Sequence, residues 1–342
     1  MIGIIIANTG SPASPDPDAI ELYLREYLMD ERIRQLPKFF WKWLLHKHIL
    51  PRRKFSSAKR YEFVWTENGS PLVANQEVLA GKVQQLFDAQ PETAGKVTVR
   101  SAMSYGSPSI GEVLAELRDF GVEKVVLLPL YPQSAFSPTL AVVDAFWRAQ
   151  EAIGWHPESV IIGDYHDDPG YISAIARSIK NVGYNVQVGD KLLFSFHAIP
   201  LKDEKAGDTY RTQIAESVRL IAAELGIEPS QITVSFQSVF GPHAESWTGP
   251  LARDVLQGWR EGDYRVFFAC PGFSVDCLET LYDIAHVMVP ALEGEGAMPV
   301  AEHADGDIQS LCNTSGRFVW VPTLNTSDEH AALIRDILLK YL

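Results

Sequence analysis

The chain is poor in cysteine and in positive charge, and each deficit excludes a class of protein. The three cysteines, Cys270, Cys277 and Cys312, are too few for a disulfide framework or for a zinc site built on paired CxxC motifs. The 342 residues include 30 Lys and Arg against 43 Asp and Glu, a formal net charge of −13. Such a charge repels a phosphate backbone, so we expect no nucleic acid as a partner.

Long apolar runs and a positively charged amino-terminal segment are also missing. No stretch approaches the roughly 18 consecutive apolar residues of a transmembrane helix, so none is predicted. The opening MIGIIIANTGSP is apolar but has no Lys or Arg before Arg25, unlike a signal peptide. Because the few cysteines also fit a reducing compartment, we expect a cytoplasmic protein.

Short apolar runs alternate with segments of helical periodicity along the whole chain. The expected strands are 2–8, 96–102, 124–131 and 159–164, followed by 191–197, 232–238, 265–270 and 317–322. Continuously apolar runs such as KVVLLPLY suit strands that are covered on both faces, as in a parallel sheet between helical layers. The pattern predicts an α/β fold of two doubly wound Rossmann-like halves, each with a four-stranded, mainly parallel sheet flanked by helices.

Turn-like sequences near residues 164–190 predict where the chain divides into its two halves. The first half covers residues 1–165 and the second covers 166–326. The last segment, 327–342, is expected to pack back on the first half, because chain ends often lie close together. Clear helical patterns are expected at Pro17–Tyr27, Ser109–Phe120, Asp208–Leu225, Val275–Val289 and Ser327–Tyr341.

The segment 36–50, LPKFFWKWLLHKHIL, concentrates aromatic and basic residues. One interpretation is a helix buried against its own domain. The other is an aromatic lip, including Phe39 and Trp41, that accepts a large flat ligand or rests on a membrane surface with its basic residues towards lipid head groups.

Nucleotide-binding motifs are absent where a doubly wound sheet would carry them. The first strand is followed by NTGSP rather than GxGxxG, and Pro12 lacks a backbone donor that a phosphate cradle would use. The segment 106–111 has the glycine spacing of a P-loop, but Glu112 stands where the lysine belongs. A phosphate site is therefore not predicted.

His197 ends the apolar run KLLFSFH, just before AIP. A lone histidine is more often structural than functional. At the carboxyl end of an inner strand, however, a neutral imidazole can bind a metal or accept a proton near neutral pH.

A second candidate is the acidic series in PGFSVDCLETLYD. Asp276, Glu279 and Asp283 are spaced i, i+3 and i+7, which would place three carboxylates on one helical face. One interpretation is a solvated acidic stripe. The other is a row that binds a divalent metal or relays protons, because aligned carboxylates repel one another unless a cation or proton is shared. With His197 and Glu279 as ligands, mixed nitrogen and oxygen donors would form a partly open site for Fe²⁺, Zn²⁺ or Co²⁺.

Several further segments complete a family resemblance: YLREYLMD, GSPL, AMSYGSPSI, LPLYPQSA, SFHAIP, GDTYRTQ, FQSVFG and PGFSVDCLETLYDI. In these segments the chain resembles the ferrochelatases, the enzymes that insert Fe²⁺ into a porphyrin at the end of haem synthesis. SFHxIP together with PGFSxDCLET is highly specific. The resemblance covers nearly the whole length and implies the chelatase-like form of two Rossmann-like halves.

The resemblance also implies roles for individual residues. His197 and Glu279 would face one another across the porphyrin, with Asp276 and Asp283 as an acidic row behind the glutamate. The expected partners are a porphyrin and Fe²⁺, both as substrates. Porphyrin contacts are expected at Thr9, Phe39, Trp41, Tyr131, Gln133, Ser134 and Trp247.

Two departures from the family pattern concern the porphyrin. Thr9 stands where members that metallate coproporphyrin often have tyrosine. Ser104 and Val239 replace common basic residues, which leaves the propionate-binding residues open, with Arg52, Arg53 and Lys59 as candidates. The aromatic segment resembles that of members that use protoporphyrin IX beside a membrane. We therefore expect protoporphyrin IX as substrate and peripheral contact with the inner membrane surface through residues 36–50. The alternatives are a coproporphyrin III ferrochelatase, a cobalt chelatase for sirohydrochlorin and a non-catalytic tetrapyrrole or iron carrier.

No tightly bound cofactor is expected. Members with a [2Fe–2S] cluster carry four cysteine ligands, and three cysteines cannot supply that set. Cys270 and Cys277 are expected to be small buried residues.

Overall fold

A computed structural model describes residues 1–34, 36–241, 243–294 and 317–342. Cys312 lies outside the described residues. The chain forms two compact units, the first of Met1–Asp164 with Thr326–Leu342 and the second of Tyr165–Asn325. The predicted division after residue 165 and the observed one after Asp164 differ by one residue.

The first unit is built on a four-stranded parallel sheet. Its strands are β1 (Ile2–Gly10), β2 (Val97–Tyr105), β3 (Lys124–Pro129) and β4 (Glu158–Ile161), in the order β2-β1-β3-β4. Ile4, Ile5 and Ile6 at the centre of β1 have no solvent exposure. Complete burial of successive residues means that both faces of the strand are covered, which explains the lack of polar alternation in its sequence.

Helices flank this sheet. They are α1 (Pro17–Met29), α2 (Lys38–Leu44), α3 (Leu50–Val64), α4 (Pro71–Asp88), α5 (Ile110–Asp119) and α6 (Pro138–Ile153). A π-helical turn, Leu45–Ile49, joins α2 to α3. Ser109 and Glu112 form a capping box at the start of α5. The acid at the P-loop lysine position therefore accepts a hydrogen bond of 2.7 Å from the backbone N–H of Ser109, the residue that caps the helix.

The second unit repeats the architecture of the first. Its strands are β5 (Lys191–His197), β6 (Ile232–Gln237), β7 (Val266–Ala269) and β8 (Phe318–Val321), all parallel and in the order β6-β5-β7-β8. Its helices are α7 (Pro169–Asn181), α8 (Leu201–Lys205), α9 (Tyr210–Leu225), α10 (Ala252–Gly258), α11 (Leu278–Asp283) and α12 (Val289–Glu293). A π-helical turn, Ile284–Met288, separates α11 from α12. The prediction of two four-stranded parallel sheets in an α/β fold is confirmed.

The last helix, α13 (Asp328–Leu339), belongs to the first unit and packs against α4. The Lys82 ammonium donates to the Thr326 carbonyl at 2.7 Å and pairs with the Asp328 carboxylate at 2.7 Å. Buried residues of α13, among them Ile334 and Leu338, extend the apolar core of the first unit.

In both sheets the central strands mark a topological switch. From β1 the chain proceeds to a neighbour on one side, β2, and then to β3 on the other side, and β5 is placed in the same way between β6 and β7. Ligands of doubly wound proteins bind at the carboxyl ends of the strands where the order reverses.

Among the described helices, none combines the length and apolar character needed to cross a bilayer.

Candidate active site

His197 is the last residue of β5 and lies opposite Gln237, the last residue of β6. The imidazole is half-buried, and its Nδ1 is 2.7 Å from the carbonyl oxygen of Ala198. A carbonyl oxygen only accepts hydrogen bonds, so Nδ1 is the protonated nitrogen of the neutral ring. Nε2 then carries the lone pair, and the backbone fixes the orientation of the ring. This is the tautomer that a metal ligand or a proton acceptor needs.

Glu279 lies in the first turn of α11 and is half-buried. Its backbone carbonyl accepts a hydrogen bond of 2.9 Å from the Gln237 amide. Because Gln237 is also the register partner of His197, a single side chain joins the strand pair that ends in the histidine to the helix that carries the glutamate. The structure thus brings both predicted residues to the carboxyl edge of the second sheet.

The loop between β7 and α11 is held by hydrogen bonds from distant parts of the second unit. The Tyr171 hydroxyl donates to the Pro271 carbonyl at 2.9 Å, and the Tyr165 and Ser274 hydroxyls are 2.7 Å apart. The Asn325 backbone N–H donates to the Ser274 carbonyl at 3.0 Å. These contacts fix where α11 begins.

Asp276 lies before α11 rather than within it. Its carboxylate is 3% exposed and accepts hydrogen bonds from the Thr280 hydroxyl at 2.8 Å, the Thr323 hydroxyl at 3.1 Å and the Asn325 amide at 2.6 Å. Burial raises the pKa of Asp276, and the three donors oppose this rise. Through these hydrogen bonds the Asp276 carboxylate connects the start of α11 to the loop after β8.

The prediction that three carboxylates share one helical face is therefore wrong for Asp276. The predicted helix began at Val275, but Cys277 is extended, with φ −142°, and its backbone N–H is bonded to the Thr280 hydroxyl at 2.9 Å. The helix accordingly starts at Leu278. The catalytic role of Asp276 stays a prediction.

Asp283 ends α11 and lies four residues after Glu279, so both project from the same side of the helix. The Ser238 hydroxyl, just past the end of β6, donates to the Asp283 carboxylate at 3.0 Å. Glu279 and Asp283 therefore lie beside the carboxyl end of β6.

Two thiols lie close to these residues. Burial raises the pKa of both Cys270 and Cys277, and the nearby carboxylates raise it further. Both groups are therefore neutral thiols near pH 7, whereas metals are bound by thiolates. The Cys270 thiol donates a weak hydrogen bond to Gln237 Oε1 at 3.6 Å.

Trp247, predicted to contact porphyrin, is half-buried in the second unit. It pairs through a β-bridge with Pro200, three residues after His197. The neighbouring Thr248 exchanges hydrogen bonds with the backbone of Ile199. Trp247 is thereby tied to the segment that follows the candidate histidine.

The first unit has a neutral polar cluster at the corresponding strand end. The Thr9 and Tyr131 hydroxyls are 2.6 Å apart, and the Tyr131 hydroxyl donates to Asn8 Oδ1 at 2.9 Å. Asn8 and Thr9 lie near the end of β1 and Tyr131 follows β3, so the cluster marks the switch point. Asn8 was not predicted, although its place at the strand end was a usable signal. Gln133 is buried and Ser134 is half-buried on the same loop.

The aromatic segment divides between core and surface. Phe39 is 81% exposed and Phe40 is 64% exposed, and their rings are in edge contact. Trp41 is only 3% exposed, and its indole N–H donates to the Leu28 carbonyl at 2.5 Å. This placement argues against Trp41 as a porphyrin contact, because the residue instead anchors α2 to α1. The interpretation of a helix buried against its own domain thus holds for the face that carries Trp41, and the interpretation of an aromatic lip stays a prediction for the exposed face.

The fold and the site together define a class of protein. It is a doubly wound α/β enzyme with an imidazole and carboxylates at one switch point. The sequence model of the ferrochelatase family matches residues 1–342. A ferrochelatase of Nitrosococcus oceani is 34% identical over 100% of this chain and 87% of its own length. One of Aeromonas hydrophila is 36% identical over 99% of this chain and 98% of its own length. The chain belongs to the ferrochelatase family.

It is accordingly a metal chelatase of the lyase class, and its reaction is the insertion of iron into a porphyrin to make haem. Among solved structures, the chain is similar to the sirohydrochlorin chelatase SirB from Bacillus subtilis subspecies spizizenii in complex with cobalt. That likeness has a TM-score of 0.48 and 9% identity over 98% of this chain and 94% of the other.

Proposed function

We propose that this ferrochelatase uses protoporphyrin IX as its acceptor, with His197 accepting pyrrole protons and Glu279 and Asp283 presenting Fe²⁺. The observation that carries the proposal is the hydrogen bond from His197 Nδ1 to the Ala198 carbonyl, which leaves the lone pair on Nε2. The joining of this strand end to α11 through Gln237 supports a shared role for the imidazole and the carboxylates.

The reaction requires two pyrrole N–H protons to leave as Fe²⁺ enters the ring. A neutral imidazole accepts one proton at a time near neutral pH and passes it to solvent. Glu279 and Asp283 provide oxygen donors that attract Fe²⁺ and replace part of its water shell. This assignment separates the proton acceptor from the groups that hold the metal.

The choice of protoporphyrin rests on the polarity of the chain. Coproporphyrin carries propionates where protoporphyrin carries vinyl groups, so it requires additional cationic contacts. The chain has a net charge of −13, and the hydroxyl of Thr9 is bonded to Tyr131.

A side-by-side rate comparison of the two porphyrins as Fe²⁺ acceptors tests the substrate. We expect faster metallation of protoporphyrin IX. A faster reaction with coproporphyrin III would overturn the substrate choice and leave the chelatase activity in place. A shift in porphyrin absorbance without a metalloporphyrin spectrum would instead indicate a carrier.

We further propose that the exposed side of α2 rests on an anionic membrane surface. Phe39, Phe40 and Trp43 are 81%, 64% and 58% exposed, and Lys38 and Lys42 are exposed beside them. Exposed aromatic residues with flanking lysines favour the interface of a bilayer that contains anionic lipids. This predicts a peripheral protein at the inner membrane surface.

Co-sedimentation with phosphatidylglycerol-containing vesicles tests this contact. We expect the double substitution Phe39→Ser and Phe40→Ser to reduce binding about tenfold. Phe120→Ser is the matched control, since Phe120 is also exposed, at 57%, but belongs to another part of the first unit. Equal binding by both variants would contradict the proposal.

A further inference from the structure

Gln237 makes a hydrogen-bond junction at the carboxyl edge of the second sheet. The side chain is 2% exposed. Its Oε1 accepts from the Ser195 hydroxyl at 2.6 Å and from the Cys270 thiol at 3.6 Å. Its Nε2 donates to the Glu279 carbonyl at 2.9 Å. One buried carboxamide thus bridges β5, the end of β7 and α11.

The orientation of this carboxamide is dictated by its partners. The Glu279 carbonyl can only accept, so it must face the amide nitrogen, and the oxygen must then face Ser195 and Cys270. A methionine or leucine of similar volume offers neither group, and a glutamate at neutral pH offers no donor. Buried polar groups left without partners are costly, so the junction holds its geometry firmly.

The backbone of Gln237 extends the junction to the candidate histidine. Its carbonyl accepts a hydrogen bond from the Ala198 N–H at 2.8 Å, and the Ala198 carbonyl is the partner of His197 Nδ1. The main chain of Gln237 therefore holds the peptide that orients the imidazole. Its side chain holds the helical turn that carries Glu279.

We propose that Gln237 is a positioning residue for metal insertion, because it sets the first turn of α11 and hence Glu279 relative to the end of β5 and His197. The inference rests on the proposed function in one respect, namely that His197 and Glu279 carry out the reaction. Gln237 itself touches neither the porphyrin nor the metal in this proposal. Its effect is expected on turnover rather than on porphyrin affinity.

Two buried serines provide a matched pair for the test. Ser195 and Ser235 are register partners on adjacent strands, and both are fully buried. The Ser195 hydroxyl donates to Gln237 Oε1, whereas the Ser235 hydroxyl donates to the Phe194 carbonyl away from the junction. Removing either hydroxyl costs one buried hydrogen bond, so Ser195→Ala and Ser235→Ala should lose similar stability.

The experiment compares four variants of the full chain, Gln237→Met, Ser195→Ala, Ser235→Ala and His197→Ala, by steady-state metallation and thermal unfolding. We expect kcat to fall at least tenfold in Gln237→Met and about threefold in Ser195→Ala, with KM for the porphyrin changed less than twofold. Ser235→Ala should keep the kcat of the wild-type protein despite a similar loss of Tm.

A purely structural role predicts that kcat follows Tm, so equal kcat values for Ser195→Ala and Ser235→Ala would overturn the inference even if Gln237→Met fails to fold. A rise in porphyrin KM without a fall in kcat would overturn it as well. The His197→Ala variant distinguishes a failure of the positioning role from a failure of the proposed function. If that variant is inactive while Ser195→Ala and Gln237→Met keep full turnover, only the positioning role is wrong. If His197→Ala turns over normally, the proposed function and the inference both fail.

Discussion

The two α/β units share one strand order but differ in the groups at the carboxyl end of their central strand. In the first unit, Asn8, Thr9 and Tyr131 form a neutral cluster of amide and hydroxyl groups. In the second, an oriented imidazole, His197, is accompanied by the carboxylates of α11. Identical topology therefore provides two equivalent places for a ligand, and the residue types decide which one can move protons or hold a cation.

The largest expected effect follows from removing the imidazole of the second unit. His197→Ala should lower kcat by about 10³-fold, within the usual contribution of a general base, because the substitution removes the oriented lone pair of Nε2. Porphyrin binding, measured by fluorescence quenching, should persist. A variant with normal turnover would contradict the assignment of the reactive chemistry to this unit.

The next effect concerns Asp276, which has no counterpart in the first unit's neutral cluster. Asp276→Ala should lower the free energy of unfolding by about 3 kcal/mol, since the buried hydroxyls of Thr280 and Thr323 and the half-buried amide of Asn325 lose their acceptor. Chemical denaturation measures this loss. Asp283→Ala, which removes a half-buried carboxylate from the same segment, is the control and should cost less.

The raised pKa of Asp276 gives this prediction a pH dependence. A folded-state pKa above the unfolded value means that the native state binds the proton more tightly, so this group's contribution to stability falls as pH rises through the folded pKa. The difference in unfolding free energy between wild-type protein and Asp276→Ala should therefore decrease as the pH rises from the unfolded pKa of this carboxyl group through its raised folded-state pKa. A constant difference would contradict the assigned environment.

A smaller effect is expected in the first unit. Thr9→Val removes the hydroxyl that contacts Tyr131 while keeping the shape of the side chain. We expect KM for the porphyrin to rise about threefold with kcat changed less than threefold, because Thr9 and Tyr131 are predicted to contact the porphyrin and have no predicted part in the reaction. A fall in kcat comparable to that of His197→Ala would break the distinction between the two strand ends.

The smallest effect is expected on the exposed face of α2. Phe39→Ser should change the free energy of unfolding by less than about 0.5 kcal/mol, because the ring is 81% exposed. A thermal melt measures this change. A large destabilisation would show that the aromatic face is covered within the folded protein and is not a binding surface.

Much of the fold could be predicted because its signals are local. The continuous apolar stretch of β1 and the run KVVLLP of β3 predicted buried parallel strands, and the structure places strands there. A helix was also predicted at Ser109–Phe120, and the structure has α5 at Ile110–Asp119, started by a capping box of Ser109 and Glu112. Burial on both faces and helix capping are set by neighbouring residues, so a short window of sequence contains them.

Parts of the site could not be predicted in this way. The start of α11 at Leu278 depends on Asp276 and its bonds to Thr323 and Asn325, which lie more than 40 residues further along the chain. The junction at Gln237 was missed for the same reason. Its motif, FQS, gives no indication that the side chain reaches Ser195 on one side and Glu279 on the other.

The amino-acid order alone determined the alternation of strands and helices, the polar residues at strand ends and the family to which the chain belongs, because each of these depends on residues close together in the chain. Only the tertiary structure decided that Trp41 packs inward while Phe39 faces solvent, and that the Nδ1 atom of His197 is the protonated one. The first outcome depends on the approach of α2 to the Leu28 carbonyl, and the second depends on the orientation of the adjacent Ala198 peptide, whose N–H donates to the Gln237 carbonyl of another strand. Contacts between segments that are distant in the chain are not contained in local periodicity.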